Sequence, residues 1–255
     1  MNIDAVQSAI SDFTRKHRTT FSMLAARQSQ LLELAAIVGV DMHYRSNGYA
    51  SSIRSPEEQG TFVVKTSTRG HPAKYSSIAF EKDGKVTEAH MNLLVRGAHD
   101  DGIYCVDVGI VEAGAVPDKV SGKKKWLCVP NKSLLSLVEA KRLVVYPMLL
   151  AQFLGIVHEI KPRFLRKPTP KGFGRELQLP PTLIALGQFS GNSKVIVDTY
   201  ASRSISLCIA ENFDVRLALH RRGSARSPFY WNKPSESGDN LADLADEHAL
   251  ALEDA

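Results

Sequence analysis

The chain has 255 residues, 44% hydrophobic and 23% charged, ordinary globular proportions that exclude bulk disorder and leave room for one substantial core or two small ones. Its three cysteines, Cys105, Cys128 and Cys208, are too few and too scattered for a disulfide framework or a zinc ribbon, so a reducing, cytoplasmic setting is expected. The net charge of +5 is uneven: the 22 residues after Lys233 hold seven acids and no Lys or Arg, so residues 1–233 carry +12, and a polyanionic partner is expected.

The opening MNIDAVQSAISDF has early acids and no apolar centre, so no secretory signal is expected. From about Thr20 to Ser46 apolar residues recur at helical spacing. Leu31, Leu34, Ala35, Val38 and Met42 share one side, with Gln30, Glu33 and Asp41 off it, which predicts an amphipathic helix. Asn47-Gly48 ends it and YASSI opens the first strand. TFVVKTST, the turn-prone RGHP and AKYSSIAF predict a hairpin or meander over residues 61–85, with a second turn at Asp83-Gly84. GIYCVDVGIV, residues 102–111, predicts a central strand, apolar on both faces except at Asp107.

Beyond Lys123, Lys124 and Lys125, LLSLVEAK predicts a strand that ends in charge at Glu139 and Lys141. Residues 143–160 form the most apolar run, too interrupted to span a bilayer. They predict a buried core helix starting near Val145, because Pro147 fits only a first turn, and no membrane association is expected. KPRFLRKPTPKGFGREL, residues 161–177, predicts a basic loop broken by three Pro and two Gly. PTLIALGQF and ISLCIAENF predict strands. NSKVIVDTYAS between them is locally β-prone but is assigned to helix, since two strands of one sheet suit an intervening crossover. The chain divides into an N-terminal helical extension (1–20), a main domain (21–232) and an acidic flexible tail (233–255).

Acid-x-Lys triplets are common by chance, about 1.7 in a chain of this composition, and three occur: Asp83-Gly84-Lys85, Glu139-Ala140-Lys141 and Glu159-Ile160-Lys161. Only the middle one ends an apolar strand. With Asp107 on a second apolar strand it makes a candidate metal-binding corner: two carboxylate oxygens suit Mg²⁺, which completes its shell with water and phosphate oxygens. Lys141, two residues from Glu139, shares its face of the strand. It can orient or deprotonate the attacking water, or neutralise charge developing on a phosphoryl group. His71, His90, His99 and His158 have no metal-ligand spacing. Glu88 and Glu112 are spare acids should the corner be one strand out of register.

These stretches resemble the PD-(D/E)XK nuclease superfamily, in particular its Mrr-type, restriction-endonuclease-like members. VDVGIV with Asp107 stands at the family's first acidic motif, and VEAK with Glu139 and Lys141 at its E-x-K motif. LLELAAIVGVDMHYRSNGY resembles the opening helix and first strand, and Glu33 matches an auxiliary metal-site carboxylate. QFLGIVHEI resembles the helix packed on the core, with Gln152 at a polar position that several members use. The chain departs from the pattern at Val106, where the family usually has proline, and in the 31 residues between Asp107 and Glu139.

The resemblance implies an α/β fold with a restriction-endonuclease-like mixed central sheet flanked by helices and carrying an inserted β-hairpin. It implies a Mg²⁺-dependent DNA endonuclease in which Mn²⁺ can substitute, with a role in restriction or anti-phage defence. Asp107, Glu139 and Glu33 would hold the metal, with Lys141 and Gln152 completing the catalytic set. Lys123, Lys124, Lys125, Arg163, Arg166, Lys167 and Lys171, which flank the corner in sequence, would contact the DNA backbone without reading bases. A homodimer or a partner subunit is compatible with this reading. The alternative is a non-catalytic nucleic-acid-binding or scaffolding subunit that keeps the basic surface.

Overall fold

The computed structural model describes residue 12, residues 28–56, 61–116, 128–165 and 179–203, residue 205, and residues 207–213 and 229–230. The expected extension (but for Asp12), the acidic tail, Lys123, Lys124, Lys125, Arg166, Lys167 and Lys171 lie outside the described residues. In chain order the elements are α1 (Gln28–Ser46), β1 (Ala50–Arg54), β2 (Ser77–Lys82), β3 (Lys85–Arg96), β4 (Ile103–Glu112), β5 (Leu134–Lys141), α2 (Pro147–Ile160), β6 (Thr182–Ala185), α3 (Gly191–Ser202), β7 (Cys208–Ala210) and β8 (Phe229–Tyr230).

The strands form one mixed sheet in sequence order, β1 to β8. β1 to β5 run antiparallel to their neighbours, as short connections allow. From β5 onward the pairing is parallel, and α2 and α3 supply the first two crossovers, so the helix assignment for NSKVIVDTYAS holds. Each face has its own core. α1 packs Leu34, Ile37 and Tyr44 against Ile78, Phe80, Val108 and Val138; α2 and α3 pack Leu150, Phe153, Val157 and Val197 against Leu93, Val106, Leu137 and Leu183. The outcome is an α/β domain with helices on both faces of a mixed sheet.

Several expectations change. α1 is not one-sided: Asp41, placed off the apolar face, is buried, and so are Leu32, Ala36 and Ile37. A Cβ on Gly39 would stand 3.2 Å from the Phe213 ring, which shows how closely α1 is approached. Residues 61–66 do not form the first arm of an inserted hairpin. Phe62 and Lys65 are both buried, and residues three apart would point to opposite faces of a strand. The segment instead touches the lead into β2 through Ser76, whose N–H donates to the Val63 carbonyl and whose Oγ accepts from Val63 N–H.

The hairpin is β2–β3, closed by Asp83 and Gly84 with φ of 52° and 71°, the paired left-handed conformation of a two-residue turn matched to strand twist. β3, the longest strand, was not foreseen. α2 begins with Pro147 in its first turn, as expected, and no helix among the described residues is long and apolar enough to cross a membrane.

Candidate active site

Asp107 on β4 and Glu139 on β5 stand on adjacent antiparallel strands, one residue from the paired Val108 and Val138. The Asp107 carboxylate takes the place of a regular ladder bond there: its Oδ2 accepts the Ala140 N–H at 2.7 Å. Lys141 Nζ then donates to Asp107 Oδ2 at 3.1 Å and to Glu139 Oε2 at 2.8 Å. The two carboxylate oxygens are therefore no farther apart than those two bonds laid end to end. The three side chains singled out from sequence converge on one point.

Burial differentiates them. Glu139 is buried in the sheet, whereas the Asp107 and Lys141 side chains keep 17% and 34% of their surface. Burial, reinforced by the Asp107 charge, pushes the Glu139 carboxyl up to about 7, with Lys141 pulling the other way. Burial alone would depress the Lys141 ammonium, but Glu139 and Asp107 outweigh it and hold the lysine charged well above its usual range. Lys141 is thus a donor and a fixed positive charge at neutral pH, not a base. Glu139 Oε1 is buried and has no hydrogen-bond partner among the described residues, and such an atom costs free energy unless something ligates it.

Glu33 reaches the corner from α1. Its Oε2 accepts from Asn92 Nδ2 at 2.8 Å, and its carboxyl is raised by burial and, more weakly, by the Asp107 charge. Among the described residues no group of three or more His, Cys, Asp or Glu is arranged to hold a metal, so Glu33 does not complete a three-carboxylate set with Asp107 and Glu139. A cation here would rest on the pair, and that suits magnesium, which is commonly held by one or two carboxylates. The orphaned Glu139 oxygen and the acid-rich donor set fit such an ion.

Gln152, which the resemblance puts in the catalytic set, stands apart from the corner. It is exposed on α2, because the buried stripe runs through Leu149, Leu150, Phe153, Val157 and Ile160 and residue 152 falls beside it. Among the described residues no hydrogen bond joins it to the corner. Arg163 is exposed beyond α2, its guanidinium 6.0 Å from the Phe164 ring centre. Glu88 lies elsewhere, bonded to Arg54 and His90.

Three residues of the site escaped the sequence reading. Lys65 is buried and donates to the carbonyls of Ser67 and Asn92. Asn92 sits in β3 with φ of 47°. Cys105 on β4 has its thiol pushed up to about 11, chiefly by burial, which leaves it protonated. The one signal available was an asparagine inside the apolar run HMNLLV, since asparagine tolerates the left-handed region better than most residues.

No protein-family model and no curated protein matches the chain. Two solved structures align with it. NucC of P. aeruginosa ATCC27853 in its cAAA-bound form is 14% identical, over 82% of this chain and 76% of that one, with a TM-score of 0.31. NucC of E. coli MS115-1, also cAAA-bound, is 14% identical over 79% and 70%, with a TM-score of 0.30. Superposition at that level transfers no site, so the chemistry of this chain is read from its own residues.

Proposed function

We propose that the protein is a metal-dependent nuclease of the restriction-endonuclease-like type that hydrolyses phosphodiester bonds in DNA, with Asp107, Glu139 and Lys141 as its centre. The observation that carries this reading is the shared contact of both carboxylates with Lys141 beside an unpartnered Glu139 oxygen. A buried ion pair kept only for stability is ordinarily hydrogen-bonded through both carboxylate oxygens. Asp107 and Glu139 would hold Mg²⁺, which would supply Lewis-acid stabilisation of the charge developing on the phosphoryl oxygens.

The protein's own groups do the rest. The Ala140 N–H fixes the Asp107 carboxylate. Lys141, held as an ammonium and partly open to solvent, fixes Glu139 and presents positive charge where a phosphate would approach. Glu33 adds negative charge at the edge of the pair. The basic segments around residues 123–125 and 163–171 would contact backbone phosphates. The restriction or defence role rests on the family resemblance.

One observation favours the alternative of a non-catalytic DNA-binding subunit: Lys141 already bonds both carboxylates and offsets one of their two charges without an added ion. The test is incubation of purified protein with supercoiled plasmid and Mg²⁺. Cutting is expected, stopped by EDTA and by Asp107→Ala or Lys141→Ala. Intact plasmid with wild type, or undiminished cutting by either variant, overturns the nuclease reading. DNA binding that is equal in EDTA and Mg²⁺, without cutting, supports the alternative.

A further inference from the structure

β3 and β4 share an irregularity at the level of Asp107. Residues two apart on a strand share a face, yet Met91 belongs to the core under α1 while Leu93 belongs to the core under α2. The same switch occurs across the partner strand, where Val108 lies in the first core and Val106 in the second. The ladder pairs Met91 with Val108 and Leu93 with Val106, which leaves Asn92 opposite Asp107. Asn92, with φ of 47°, is the left-handed residue on β3 that accompanies the switch.

A left-handed residue in mid-strand turns its carbonyl away from the ladder, and a buried carbonyl needs a donor. Lys65 provides it at 2.7 Å, and the Asn92 amide nitrogen returns a bond to the Lys65 carbonyl at 2.9 Å while also holding Glu33. Burying an ammonium to satisfy backbone oxygens is expensive. Here it ties the 61–66 segment, α1 and β3 together beside the residue that faces Asp107.

We propose that Asn92, locked by Lys65, is a positioning residue that sets the placement of the Asp107 carboxylate. The inference deepens the nuclease reading, but it concerns geometry and can be tested apart from it. The geometric reporter is the Ala140 amide, which donates to Asp107 and whose hydrogen exchange by NMR tracks whether that carboxylate stays in place.

The decisive comparison is Asn92→Ala against Asn92→Gly. Alanine resists the left-handed conformation and glycine adopts it freely, so glycine, although smaller, should be the better replacement. In Asn92→Ala the Ala140 amide should exchange about tenfold faster, and kcat for plasmid cutting should fall about 100-fold with KM nearly unchanged. Asn92→Gly should recover most of both. A space-filling role gives the opposite order, and that result, or unchanged exchange in Asn92→Ala, overturns the proposal. Should Asn92→Ala not fold, Lys65→Met decides through the same amide, faster exchange supporting and unchanged exchange overturning. If wild type does not cut DNA while the amide responds as expected, the nuclease reading falls and the positioning role stands.

Discussion

Among the described residues of the sheet, two buried acid-and-base groups are satisfied to different degrees. On β3, Glu88 bonds Arg54 through Oε1 and His90 through Oε2, the latter at 3.1 Å. Burial would raise its carboxyl, but His90 and Arg54 outweigh it and hold it below the ordinary range. On β5, Glu139 has Lys141 on one oxygen, no hydrogen-bond partner within normal geometry on the other among the described residues, and a second carboxylate beside it. One group is a completed ion pair. The other holds a carboxylate that folding alone would not favour, and such arrangements cluster where chemistry is done.

The contrast is broken most directly at Lys141. Lys141→Met leaves Asp107 and Glu139 facing each other without their common cation, and it should reduce plasmid cutting by about 100- to 1000-fold in single-turnover assays. Cutting within a few-fold of wild type would place Lys141 with Glu88 as a structural charge. The reciprocal change, Glu88→Gln, should leave cutting intact and destabilise the fold by about 1–3 kcal/mol, read as the shift in urea midpoint at neutral pH. The sign with pH follows from the lowered carboxyl. Its contribution is full above the unfolded carboxylate range near 4.5 and is lost as pH falls through the lower folded value, so the variant's deficit should close in acid.

The corner was legible because Glu139-Ala140-Lys141 ends a strand rather than a turn or a helix, and because Asp107 interrupts an otherwise apolar run. α3 was legible from topology against its local β preference. β3 was not, because Glu88, Ala89, His90, Met91 and Asn92 are weak strand formers; burial between two helical layers makes it a strand, and that is a tertiary effect. Lys65 and Asn92 escaped for a related reason: their roles exist only once a left-handed residue frees a carbonyl. Of the 61–85 stretch the second strand and the Asp83-Gly84 turn were legible, but the first arm was not, because alternation of residue types does not reveal that Phe62 and Lys65 turn inward together.

A milder way to sharpen the comparison is to titrate the metal. Because the Glu139 carboxyl sits near 7, Mg²⁺ binding there must displace a proton below that pH. Affinity by calorimetry should weaken about tenfold per pH unit from 7 downward and level off above it, with the slope absent in Glu139→Gln. A pH-independent affinity would mean the ion binds elsewhere.

The smallest expected effect is at Arg54. Its side chain is 48% exposed, so water and salt screen its pairing with Glu88, and exposed ion pairs typically contribute about 0–1 kcal/mol. Arg54→Met should therefore shift the urea midpoint far less than Glu88→Gln, because His90, itself buried, still bonds Oε2. Lys141 is only somewhat less exposed, at 34%, yet it is the cation common to both carboxylates. If Arg54→Met proves as costly as Glu88→Gln, solvent exposure is a poor guide to these charges, and the distinction between a closed pair and an open corner must rest on the unpartnered Glu139 oxygen alone.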